Sequence, residues 1–295
     1  MTTVQSTEWG PLSEPIHNDI PDGGRPWRDN AFVAFWDADR DIVGTLHTST
    51  SPNAEGRRAR FSVQTAGRTI ELIEDLEPGS FSSDSISFSA GAEFSIASDR
   101  VAGTVTTTPL FALADYTGDR SPEAFSLDKE LPLMHYQRAA TATGELVIDG
   151  HPVAIDGHAF RDRTWGFRDE SASVSEYFGC WFILPSLAVS SMKLRGASSA
   201  EMVLGSVLEG DATFISSASL TRDASGLFAA SAIETVDGRT LEFRIVDRRA
   251  GFWCPMGIER TGPTLGAFDE FFTVRTPDGE EGFGMCEQGI LKTVF

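Results

Sequence analysis

The chain has 295 residues, with 24 Lys and Arg against 43 Asp and Glu, a formal net charge of −19. That length buries a sizeable core without disulfide or metal staples, and a hydrophobic share of 41% excludes disorder of the whole chain. The acidic excess argues against nucleic acid and against anionic lipid as partners, and its plain consequence is solubility.

In chain order the pattern is one of short strands separated by turn residues. Phe32, Ala34 and Trp36 alternate with Val33 and Phe35. Strand-like segments follow at 60–64, 69–73, 85–89 and 93–97, each with apolar residues at every second position. That period places one face inward and one outward. Three Asp-Gly pairs, Asp149-Gly150, Asp237-Gly238 and Asp278-Gly279, each separate two alternating segments. Asp-Gly suits a type I′ turn, which needs positive φ at both central residues, so antiparallel hairpins are expected there. Ser121–Leu131 could hold a short helix, with Ser121 as N-cap and Pro122 in the first position. The strand rhythm breaks around residues 120–143. We therefore expect an all-β chain of two tandem antiparallel barrels, residues 1–140 and 141–295.

The remaining broad features are mostly exclusions. Three cysteines, Cys180, Cys254 and Cys286, form no CxxC pair, as expected for a reduced, cytoplasmic protein. The first residues are polar, with no basic and apolar stretch, so no signal peptide is expected. The longest apolar run, Tyr177 to Val189, contains Pro185 and is too short to span a bilayer, so no membrane insertion is expected. There is no P-loop, no G-x-S-x-G elbow and no H-E-x-x-H. The five histidines are scattered. His151 and His158 with Asp156 and Asp162 match no common metal spacing, so neither metal nor cofactor is expected.

One segment stands apart: Asp156-Gly-His158-Ala-Phe-Arg161-Asp162-Arg163-Thr-Trp165-Gly166-Phe-Arg168-Asp169. On a strand, His158, Phe160, Asp162 and Thr164 point one way, and Arg161, Arg163 and Trp165 the other. Charges pointing into a barrel are paired or functional, because an unpaired buried charge is costly. The segment is therefore either an Arg–Asp network fastening the fold or a donor set aimed at a ligand. A second candidate carboxylate, Glu287, lies in the glycine-rich run Gly282-Phe-Gly284-Met-Cys-Glu287, where glycine marks close approach by a backbone or a ligand. Glu287 could equally pair with an arginine of the 161–168 segment. Aromatic residues such as Tyr177 and Trp181 serve as core or line a pocket.

The 156–169 segment resembles the G-x-G-x-R-D-x-S-W-G-x-R-D block of two-domain lipocalin-like, calycin-type proteins, distant relatives of carotenoid hydratases and terpenoid-tailoring enzymes. It departs from that block at His158 and Thr164. The segment from Trp27 to Asp37, with Gly44 and residues 51–56, resembles the family's opening strands, and the 282–287 run its closing strand. The resemblance implies two tandem barrels, a hydrophobic pocket and proton-driven chemistry on an alkene or related apolar substrate. On that basis the expected function is a lyase or isomerase that hydrates, dehydrates or cyclises a terpenoid-like small molecule without a cofactor. A buried, protonated Asp162 would be the acid, oriented by Arg161 or Arg163. Glu287 is the alternative acid and His158 a proton relay. Trp165 and Tyr177 would stabilise cationic character, and Trp181 would line the substrate site. The alternative is a non-catalytic carrier of an apolar metabolite, or an interaction module if neither barrel has room for a ligand.

Overall fold

The computed structural model describes residues 8–19, 26–51, 56–117, 133–168, 174–196, 201–255 and 262–294. The Ser121–Leu131 helix and Asp169 lie outside these residues. Apart from one 3₁₀ turn, Gly10–Ser13, the described elements are all strands. The first ten are β1 (Trp27–Asp37), β2 (Ile42–Ser51), β3 (Gly56–Thr65), β4 (Arg68–Glu74), β5 (Ile86–Phe88), β6 (Glu93–Ala97), β7 (Val101–Pro109), β8 (Ala114–Asp115), β9 (Met134–Ile148) and β10 (His151–Phe167). The last eight are β11 (Val174–Ile183), β12 (Ala188–Gly196), β13 (Glu201–Leu208), β14 (Ala212–Arg222), β15 (Phe228–Thr235), β16 (Thr240–Pro255), β17 (Gly262–Arg275) and β18 (Glu281–Val294). They form two compact units that divide after Arg168.

The expected boundary at 140/141 falls inside β9 and is corrected. β9 and β10 form a long hairpin, and β10 returns to pair with β1 along ten positions. The hairpin is therefore the middle of the first sheet and cannot begin the second unit.

The first unit is an open antiparallel sheet of order β4-β3-β2-β1-β10-β9-β7-β6-β5, with β8 on β9. This bears out the expected all-β fold of two antiparallel barrel units, the first of them left open as a strongly curled half-barrel. Phe61 on β3 and Phe94 on β6 are six strands apart, roughly 29 Å in a flat sheet, yet their rings lie 6.2 Å apart. Where the two edges approach, Glu74 at the end of β4 accepts bonds from Ser83 Oγ at 2.7 Å and Ser85 N at 2.9 Å, just before β5. The concave face carries the apolar core, including Phe35, Phe61, Phe94 and Phe167.

The second unit is a closed eight-stranded barrel, β11 to β18 in order. Phe178, Phe182, Phe228, Phe243 and Phe272 point into it. Cys180 and Cys286 also face inward, directly opposite each other on β11 and β18, and both are free thiols. Burial pushes both thiols up, as befits inert core residues.

Candidate functional site

The two faces of β10 separate as the alternation predicts. Arg161, Arg163 and Trp165 occupy the concave, core-bearing face, and Asp162 and His158 the convex one. On the concave face the guanidiniums are fasteners. Arg161 is 2% exposed and donates to Gly91 O and Ala90 O, both at 2.7 Å, and to Leu12 O at 3.3 Å. It lies 4.0 Å over the Trp9 ring. Burial and the neighbouring Arg163 pull it down to about 9, which leaves it charged at neutral pH. Arg163 binds the Asp29 carboxylate, Asn30 O and Pro15 O. Its guanidinium sits 4.8 Å from both Phe81 and Trp165. Arg138, directly opposite Arg161 on β9, donates to Glu8 O at 2.8 Å and Phe111 O at 3.0 Å. Three adjacent arginines thus tie residues 8–15 onto the sheet. Trp165 stacks on His17, 4.7 Å between centroids, and His17 bonds Asp29. Neither arginine orients Asp162, and this concave space is occupied by side chains.

The convex face carries a different constellation. The register sets His47, Phe32, Asp162 and Gln137 in one row across β2, β1, β10 and β9, and Ser49, Asn30, Thr164 and His135 in the next. Asp162 Oδ2 meets His135 Nε2 at 2.7 Å and accepts from Gln137 Nε2 at 2.6 Å. Its other oxygen accepts from Thr164 Oγ1 at 2.9 Å. Burial alone would raise this carboxyl, but the imidazole and the amide and hydroxyl donors outweigh it and hold Asp162 below the usual carboxylate range. Asp162 is therefore ionised at neutral pH and is not the protonated acid that was expected.

A carboxylate accepts only, so His135 must present Nε2–H to it. Its Nδ1 is then left to give or take a proton. The Tyr116 ring lies 5.1 Å from that of His135, and Tyr116 N donates to His135 O. His158 shares this face, but it stands four residues from Asp162, roughly 13 Å along an extended strand, too far for direct relay. Burial lowers the His158 imidazole against the opposing pull of Asp37 and Asp156.

The other expected site residues lie in the second unit. Tyr177, Gly179 and Trp181 on β11 face Gly289, Glu287 and Met285 on β18, on the side of the strands away from the barrel interior. A Cβ at Gly179 would strike the Trp181 ring, and one at Gly289 the Tyr177 ring. The glycines thus leave room for the Trp181 ring beside Gly179 and the Tyr177 ring beside Gly289. Asp269 on β17 is the direct neighbour of Glu287, and both are buried.

His135 and Gln137 were missed by sequence reasoning. They precede Asp162 by more than twenty positions, and only the β9–β10 register brings them to it. Among the described residues no group of three or more His, Cys, Asp or Glu is placed to hold a metal, and no helix is long and apolar enough to cross a membrane.

A curled antiparallel sheet joined in one chain to a closed eight-stranded barrel defines a two-unit, lipocalin-like protein. Solved structures share this fold. CghA matches with 12% identity, a TM-score of 0.64, and coverage of 90% of this chain and 88% of its own. A protein from Nitrosomonas europaea described as AttH matches with 12% identity, a TM-score of 0.65 and 97% of both chains. Kievitone hydratase from Nectria haematococca matches with 14% identity, a TM-score of 0.57, and 99% and 95% coverage. No curated protein sequence matches. The chain belongs to the family described as a domain of unknown function, DUF7064, which it matches over residues 14–290.

Proposed function

We propose that the protein is a lyase or isomerase that moves a proton on a small hydrophobic molecule, with His135 as the acid–base group and Asp162 as its fixed counter-charge. The observation that carries this reading is the 2.7 Å bond from the His135 imidazole to an ionised Asp162. The carboxylate holds the tautomer and stabilises the imidazolium that forms when Nδ1 takes a proton. In a dehydration, Nδ1 takes a proton from the carbon next to a carbinol and the imidazolium returns it to the departing hydroxyl, so that the C=C forms, the C–O bond breaks and water leaves. Hydration is the reverse. Both run without an oxidant or reductant. Phe32, next to Asp162 across the β1–β10 pair, and Tyr116, against His135, supply an apolar surround of the kind that suits an isoprenoid-like alkene or its alcohol. The fold shared with kievitone hydratase is consistent with such chemistry.

The test incubates the protein in deuterated water with a panel of isoprenoid alkenes and tertiary alcohols. Mass spectrometry reads the gain or loss of water and of deuterium. For a converted compound, His135→Phe and Asp162→Asn should lower kcat by about 10²–10⁴-fold with KM little changed. Binding without conversion by the wild-type protein assigns a carrier instead. Unchanged turnover in both variants removes the dyad from the chemistry.

A further inference from the structure

The outward face of the second barrel carries a feature that the dyad does not use. Thr221, Ala230, Arg244 and Arg275 stand side by side in one row across β14, β15, β16 and β17. Ser219, Ala232 and Glu242 form the next row. Phe243 and Val274, which alternate with these positions, point into the barrel, so both rows face outward. The small side chains of Ala230 and Ala232 leave the middle of the face low. β14 hydroxyls wall one side, and charged side chains of β16 and β17 wall the other. The result is an open hollow of about 440 Å³, also lined by Pro277.

Two observations give the hollow a chemistry. Arg244 and Arg275 are direct cross-strand neighbours, an arrangement that destabilises a sheet when both are charged and nothing lies between them. Arg275 is neutralised by Glu281, with Nε donating at 2.9 Å. Arg244 has no such partner: among the described residues no ion pair or hydrogen bond engages its guanidinium. In a chain of net charge −19, an uncompensated guanidinium beside a second one is a local exception. An oxyanion seated between the two would give Arg244 the charge-assisted partner that Glu281 gives Arg275. Glu242 stands two residues from Arg244 on the same face, roughly 7 Å along the strand. It therefore disfavours a second negative charge there and offers an acceptor for a hydroxyl or amino group.

We infer that this hollow binds a small organic acid. Its carboxylate or phosphate head lies between Arg244 and Arg275, its body rests over Ala230 and Ala232, and a hydroxyl or amino group at the far end meets Glu242.

The test uses saturation-transfer NMR on the full-length protein, with 4-hydroxybenzoate as the carboxylate probe and phenyl phosphate as the phosphate probe. At least one should bind with a Kd of about 10 mM or tighter. Arg244→Gln, an exposed replacement that leaves the fold alone, should weaken it about tenfold, the worth of one charge-assisted bond. Arg222→Gln, which removes an arginine already paired with Glu176, should leave affinity unchanged. Glu242→Gln should reduce the preference for 4-hydroxybenzoate over benzoate. The tighter probe identifies the head group. The inference fails if neither probe binds, or if Arg244→Gln binds as the wild type does. Neither failure bears on His135 and Asp162.

Discussion

Arg163 and Asp29 show what the distinctive segment does on its core-facing side. Both side chains are fully buried and form an ion pair. Burial would raise the Asp29 carboxyl, yet bonds from His17 and the Arg163 guanidinium hold it below the usual range. Removing one partner of such a pair leaves a buried charge uncompensated. Arg163→Met should therefore cost about 3–5 kcal/mol, and adding Asp29→Asn should recover part of that loss, because the remaining group is then neutral. Urea unfolding of the two variants measures both. An Arg163→Met loss under about 1 kcal/mol would place the pair in the range of surface ion pairs and contradict its burial. At this scale the alternation of β10 was legible, because a period of two needs only local spacing. Which face meets the core was not. Arginine reads as a surface residue, and the carbonyls of Leu12, Pro15 and Gly91 that receive Arg161 and Arg163 come from distant segments. His135 was hidden for the same reason.

The elements themselves were largely written in their turns. Asp149-Gly150 forms the expected tight hairpin, with φ of 47° and 80° and Ile148 opposite His151. The other two Asp-Gly pairs also turn between paired strands, but by a three-residue loop. Thr235 N donates to Arg239 O and Thr276 N to Glu280 O, and only the glycines, Gly238 and Gly279, take positive φ. The same dipeptide thus serves two turn types, chosen by loop length. Glycines in β18 serve the close approach that their place in a strand suggested. A Cβ at Gly284 would collide with the Trp181 carbonyl and with Phe182, where β18 meets β11 and the barrel closes. Gly284→Ala should destabilise by about 1–3 kcal/mol through overpacking. Gly210→Ala, at a site with open space, is the control. Equal thermal midpoints for the two variants would show that the seam adapts. The unit boundary was illegible because hairpin β9–β10 has its second partner, β1, more than a hundred residues earlier. No local composition marks such a pairing.

For the whole molecule, these carboxylates make stability depend on acidity in a definite direction. Asp29, Asp37, Glu74 and Asp162 are each raised by burial and lowered further by their hydrogen-bond partners, so all four sit below their ordinary values in the folded chain. A carboxyl depressed by folding contributes stability that is complete above its unfolded value. That contribution is lost as pH falls from about 5 through the folded value. His158, lowered chiefly by burial, acts in the same sense from higher pH. The unfolded imidazole takes its proton near 6.5, while the folded one resists. Glu270, which binds Arg248 and is raised by burial, opposes the trend. Its contribution is present at low pH and fades as pH rises through its folded value. Four depressed carboxylates and one resistant imidazole outnumber one raised carboxyl. The urea midpoint should therefore fall steadily between about pH 7 and pH 3.5. Asp162→Asn should flatten the part below about pH 5, His158→Gln the part near pH 6.5, and Glu270→Gln should steepen the part between its unfolded and folded values. A midpoint constant over that interval would mean that these groups feel the same surroundings folded and unfolded. The ionised state of Asp162, on which its partnership with His135 rests, would then lose its support.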